Sequence, residues 1–140
     1  MAQHETLTLH KTAYLLGLAG LIPFVGLTAL MYQPWSHSLF MTYSAVILSF
    51  LGGIHWGVAL QKPEWSNSWR ISLCMLPSLI GWTALALNQT WGMITLLLAY
   101  VGWWIYDYTQ IDNKHYRGLR RCLTIVVAVC HISWLVFFIH

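Results

Sequence analysis

Three ionisable side chains stand inside long apolar stretches of the chain: His55, Asp107 and His131. An imidazole can give and take a proton near neutral pH, and a carboxylate can accept several hydrogen bonds or hold a cation. Both are costly to place in hydrocarbon, so such positions are candidates for function by default. His55 and Asp107 fall near the ends of two stretches that run in the same direction. Counted from those ends, they differ in depth by about 6 Å at a helical rise of 1.5 Å per residue. The spacing allows one polar pocket holding both, with Trp56, Tyr106 and Tyr108 as aromatic walls and Arg120 at its edge. The plainer expectation pairs Asp107 with Arg70 or Arg120 and gives His55 a neighbouring carbonyl or hydroxyl. His131, near the middle of its stretch, reads as structural.

Sharper chemistry is excluded by type and spacing. A bis-histidine haem needs two imidazoles at one level, whereas His55 and His131 differ by roughly 8 Å in depth. Intramembrane aspartyl catalysis needs two carboxylates at matched depth, and Asp107 has no such neighbour. No phosphate-binding glycine loop, HExxH or GxSxG pattern occurs. Cys74, Cys122 and Cys130 lack metal-ligand spacing and read as small core residues. No catalytic residue, metal or cofactor is therefore expected, and the residue pattern leans away from an enzyme.

The elements that carry these residues follow from hydropathy. Of 140 residues 58% are hydrophobic and 8% charged, and the mean hydropathy is +0.60. A water-facing surface cannot be made from that composition. Five spans are predicted, over about 12–31, 39–60, 69–87, 91–108 and 122–139, as a single all-α transmembrane domain. Gln33–Ser38, Gln61–Ser68, the tight hairpin at Asn88-Gln89-Thr90 and the charged stretch Gln110–Arg121 read as the connections. A cleaved signal peptide is the competing reading of the first span, but its length and Ala29-Leu30-Met31 argue against cleavage.

Five crossings place Lys11, Lys62, Arg70, Lys114, Arg117, Arg120 and Arg121, all seven basic residues, on one side. Cytoplasmic loops collect Lys and Arg, so the amino terminus is expected in the cytoplasm and the carboxyl terminus in the periplasm. Trp35, Trp65, Trp69 and Trp91 fall at span ends, where an aromatic belt forms. The same charges are too dispersed for a nucleic-acid face. Within the second span, Ala45, Ser49, Gly53 and Gly57 repeat every four residues, a ladder expected to pack closely against another helix or a second copy.

The stretch from Tyr43 through Gly52-Gly53-Ile54-His55-Trp56-Gly57 resembles the signature of a family of small bacterial and mitochondrial membrane proteins of unknown function. The family includes transmembrane protein 69 of animals. The resemblance extends to Leu16-Gly17-Leu18-Ala19-Gly20-Leu21-Ile22-Pro23-Phe24, to Tyr106-Asp107, and to Arg117-Gly118-Leu119-Arg120 leading into Thr124. It implies a membrane fold and no activity or cofactor. With no Arg-rich, Ser-rich transit segment at its start, the chain is expected in a bacterial inner membrane.

Two functions follow as expectations. The first is a non-enzymatic accessory or assembly protein for an energy-converting membrane complex, with a membrane-protein partner or a second copy on the small-residue ladder. The second is binding or transport of a small amphipathic molecule, a quinone or lipid, in the leaflet of His55 and Asp107.

Overall fold

Helices dominate because nothing else satisfies backbone polar groups in hydrocarbon. The computed structural model describes residues 11, 12, 14–61, 68–110 and 114–139, and all its regular elements are helices. Five helices make an all-α bundle: α1 (Tyr14–Ala29), α2 (Ser36–Gln61), α3 (Ser68–Ala86), α4 (Gln89–Gln110) and α5 (Lys114–Ile139). α2, α3 and the Tyr116–Ile139 part of α5 are long and apolar enough to cross a membrane by length and composition. α1 is a shorter apolar helix. α4 is rich in Trp and Tyr, whose hydropathy is lower than that of aliphatic residues.

The helices close into a ring. α2 packs on α1, α3 and α4, α3 on α4, α4 on α5, and α5 returns to α1. Apolar side chains face outward all round, among them Leu15, Ile22, Phe50, Leu60, Leu98, Ile125 and Val136. That surface is far larger than the apolar patches of a water-soluble monomer and suits lipid. Trp35, Trp69 and Trp91 are exposed near helix ends, while Trp65 and Lys62 lie outside the described residues.

Two local breaks have identifiable causes. Pro77 has no N–H to return to the carbonyl one turn earlier, and its ring crowds that carbonyl, so α3 loosens at Cys74 and Met75, between Ser68–Leu73 and Leu76–Ala86. At Gly20 the chain makes a turn within α1, and the Tyr43 hydroxyl donates to the Gly20 carbonyl at 2.7 Å. The break in α3 sets the register of its packing on α2. A Cβ at Gly52 would stand 2.5 Å from the Cys74 carbonyl oxygen and 3.1 Å from Pro77 Cγ.

The small-residue ladder is thus divided. Ala45 is buried against Gly81 of α3, and Ser49 bonds back to the Ala45 carbonyl at 3.0 Å. Gly53 and Gly57 face outward with nothing within 4 Å of a built Cβ. The close approach inside the bundle falls one residue earlier than expected, at Gly52, because α3 arrives at the Pro77 break and not along the ladder. Among the cysteines Cys74 and Cys130 are buried, but Cys122 is exposed, so it is not a core residue.

The largest departure from the predicted spans is at α5. The charged stretch read as a connection is helical from Lys114, so α5 begins two turns before its apolar part. Lys and Arg are good helix formers, and their long stems can lie along apolar surface while the charge reaches the interface. That extension places Tyr116, Arg120 and Thr124 on one face of α5, four residues apart each time.

Candidate functional site

Three helices meet at the end of the bundle where α2 and α4 finish and α5 starts. α2 contributes His55, α4 contributes Asp107, and the helical extension of α5 contributes Tyr116 and Arg120. His55 and Asp107 are each 1% exposed and Arg120 5%. His55 Nε2 is hydrogen-bonded to Asp107 Oδ1. The other carboxylate oxygen, Oδ2, accepts from the Tyr116 hydroxyl at 2.8 Å and from Arg120 Nε at 3.1 Å. Arg120 Nη1 donates to Thr124 Oγ1 at 2.5 Å. Asp107 is therefore the hub: three side chains from two other helices converge on one carboxylate.

Aromatic rings exclude water from the cluster. Trp103 and Tyr106 of α4 pack on the His55 imidazole at centroid distances of 5.0 and 5.2 Å. In so dry an environment the Asp107–Arg120 attraction is strong, but it must offset the cost of removing both charges from water. The extra hydrogen bonds of Asp107 with His55 and Tyr116, and of Arg120 to Thr124 Oγ1, supply part of that offset.

The residues expected in a pocket have separated. His55, Tyr106, Asp107 and Arg120 are together in the interior. Trp56 and Tyr108 face outward, 46% and 51% exposed. Tyr108 lies under the Arg117 guanidinium, 4.2 Å from its ring centre, and its carbonyl accepts from Arg117 Nη2 at 2.8 Å. That contact ties α4 to α5 at the surface. The cation that reaches Asp107 is Arg120, not Arg70. The depression over Asp107, between Trp104, Tyr108, Tyr116, Arg117 and Arg120, encloses no cavity volume. Among the described residues the depression over Asp107 is not an open pocket. His55 and Asp107 bond to each other instead.

A cavity of about 420 Å³ lies beside the cluster, mainly between α1, α2 and α5 with Tyr100 of α4 on its wall. Gly17, Gly20, Leu21 and Phe24 line it from α1, Ile47, Leu51 and Ile54 from α2, and Leu119, Leu123 and Val127 from α5. Leu16 and Phe50 also line it and are largely exposed, which puts them at its rim. Its polar lining comes from Tyr100, Tyr116 and Arg120. The Tyr100 hydroxyl donates to the Ser44 carbonyl at 2.5 Å, and that of Tyr116 to Asp107. Arg120 Nη2 is buried with no hydrogen-bond partner among the described residues. Tyr116 falls in the charged stretch that hydropathy reads as a loop, so the sequence does not mark it as a site residue. Its spacing to Arg120 and Thr124 is the signal that could have found it.

His131 belongs to a separate buried network at mid-bundle. Its Nδ1 faces the Val127 carbonyl at 2.7 Å, which fixes the proton there, and its Nε2 accepts from Ser44 Oγ at 2.8 Å. Phe24, Phe40 and Tyr100 surround the ring. Since Ser44 and His55 are about 16 Å apart along α2 at 1.5 Å per residue, the two imidazoles serve different levels of the bundle. Among the described residues no group of three or more His, Cys, Asp or Glu side chains could hold a metal ion.

The fold and its buried cluster define the class: an integral membrane protein, a helical bundle with one carboxylate-centred polar network near one end. Residues 9–136 match the family model described as protein of unknown function (DUF3429), and the chain belongs to that family. It is 34% identical to transmembrane protein 69 of Xenopus tropicalis over 90% of this chain and 54% of that protein. It is 33% identical to transmembrane protein 69 of Mus musculus over 90% of this chain and 55% of that protein. The chain thus spans about half the length of these relatives. No solved structure matches it.

Proposed function

We propose that this protein binds a small amphipathic molecule in the cavity between α1, α2 and α5, without catalysing a reaction on it. The cavity carries the reading. A volume of about 420 Å³ lies within the range of small-molecule sites, which combine apolar walls with a few placed polar groups. Tyr100, Tyr116 and Arg120 are its polar lining residues, and Leu123, Val127, Phe24 and Ile47 are among the apolar ones. The wider rim at Leu16 and Phe50 gives a path from the lipid.

The orientation belongs to the same proposal. Lys and Arg at the end holding the cluster put that end, and the amino terminus, in the cytoplasm of a bacterial inner membrane by the positive-inside rule. An accessory role in a larger membrane complex has one feature in its support, the outward strip at Gly53 and Gly57, where a partner helix could approach closely.

Purification in mild detergent, followed by solvent extraction and mass spectrometry, tests the two readings against each other. The binding reading expects an amphiphile near one per chain from the native protein and its loss from Leu123→Trp, which fills the cavity. A stoichiometric protein partner with no retained amphiphile overturns it in favour of the accessory role.

A further inference from the structure

The outward face of α5 carries charge that neither the buried cluster nor the cavity uses. At 3.6 residues per turn, Lys114, Gly118, Arg121 and Ile125 fall within about 60° of one another, and all four are exposed. Tyr116 and Arg120 point about 100° or more away from that face, into the bundle. Arg117 stands at its edge toward α4, with the guanidinium over the Tyr108 ring and Nη2 donating to the Tyr108 carbonyl. Gly118 leaves a notch between Lys114 and Arg121, since a Cβ built there meets nothing within 4 Å. Toward mid-bundle the same side is apolar, with Ile125 and Val129 exposed.

Depth and charge together say what this face meets. The apolar part of α5 that is long enough to cross a membrane begins at Tyr116, so Arg121 stands about 8 Å inside it while facing outward. A long basic side chain in that position lays its stem along apolar surface and brings its charge to the membrane interface. Among the described residues Asp107 is the sole Asp or Glu, and it is 1% exposed and joined to Arg120. With that pair set aside, the chain has six Lys and Arg against three Asp and Glu. Each basic residue beside an anionic membrane surface strengthens binding by roughly fivefold. We propose that the start of α5 is a binding surface for an anionic phospholipid of the surrounding leaflet. Its phosphate sits between Lys114 and Arg121 over Gly118, and an acyl chain lies along Ile125 and Val129. The apolar continuation of the face favours a lipid over a soluble anion, and the excess of cations favours a head group with net negative charge over a zwitterionic one.

Native mass spectrometry of the full chain in detergent, titrated with dioleoyl phosphatidylglycerol and with dioleoyl phosphatidylcholine, tests the surface. Phosphatidylglycerol should bind at least about tenfold more tightly. Replacing Lys114 and Arg121 together by Gln should bring the ratio below about threefold, with the unfolding temperature unchanged because both side chains are exposed. Gly118→Leu, which fills the notch and keeps every charge, should weaken phosphatidylglycerol by about fivefold or more. Lys11→Gln, on an exposed residue before α1, should leave the ratio as it was, and so should Leu123→Trp in the cavity. Equal affinity for the two lipids overturns the proposal. So does a preference that survives the double substitution or Gly118→Leu, or one that Lys11→Gln lowers just as far, which would assign it to charge spread over the whole end of the bundle. Displacement of phosphatidylglycerol by inorganic phosphate would assign the surface to a soluble anion and overturn the lipid.

Discussion

His55 and Asp107, 52 residues apart in the sequence, are hydrogen-bonded to each other in the interior of the bundle, with each side chain 1% exposed. The pair joins α2 to α4, and Arg120 completes the link to α5 through the same carboxylate. The arrangement makes the polar cluster a structural clamp first.

Removing one charge of the Asp107–Arg120 pair should be far worse than removing both. Asp107→Leu or Arg120→Met alone leaves an uncompensated buried charge, a loss of about 3–5 kcal/mol. The double variant should lose less than either single variant, which requires a coupling larger than one single loss, above about 3–5 kcal/mol. Thermal or denaturant unfolding in detergent measures all three. Strict additivity would show that the two groups do not act as a pair.

Gly52 and Gly53 are neighbours with opposite expectations. Gly52→Ala forces a methyl group against the Cys74 carbonyl, 2.5 Å from the built Cβ, and backbone cannot move aside cheaply. The expected loss is about 1–3 kcal/mol. Gly53→Ala meets open space and should be neutral, or stabilising by up to about 1 kcal/mol from helix propensity. Equal effects at the two positions would mean that α3 does not approach α2 at the Pro77 break. A loss at Gly53 alone, accompanied by a smaller particle in detergent, would reveal a contact with a second copy or a partner.

Orientation is open to a direct experiment. An alkaline phosphatase domain joined after the last residue should be active in the periplasm of a bacterial host, and the same domain inserted near Lys114 should be silent. The reverse pattern would turn the bundle over, and equal activity at both junctions would be incompatible with five crossings.

Hydropathy is a sum along the chain, so the presence of five helices, their approximate spans and the outward apolar surface were legible before any packing was known. The expected gathering of basic residues at one end rests on counting crossings alone. Individual residues such as His55 and Asp107 stood out because ionisable groups are rare within apolar spans. What sequence spacing cannot supply is the rotation of each helix about its axis and the point where neighbours touch. Those decided that Arg120 and not Arg70 reaches Asp107, and that Gly52 and not Gly53 takes the close approach of α3. They also turned Trp56 and Tyr108 outward. The helical start of α5 was hidden for a related reason: polar residues at a membrane surface look like a loop to a hydropathy sum, although their backbone continues the helix and carries Tyr116 and Arg120 inward. The cavity is the furthest from the sequence of all. It is space left among side chains of α1, α2, α4 and α5 after each has packed against its neighbours, a property of the assembled bundle that belongs to no single segment.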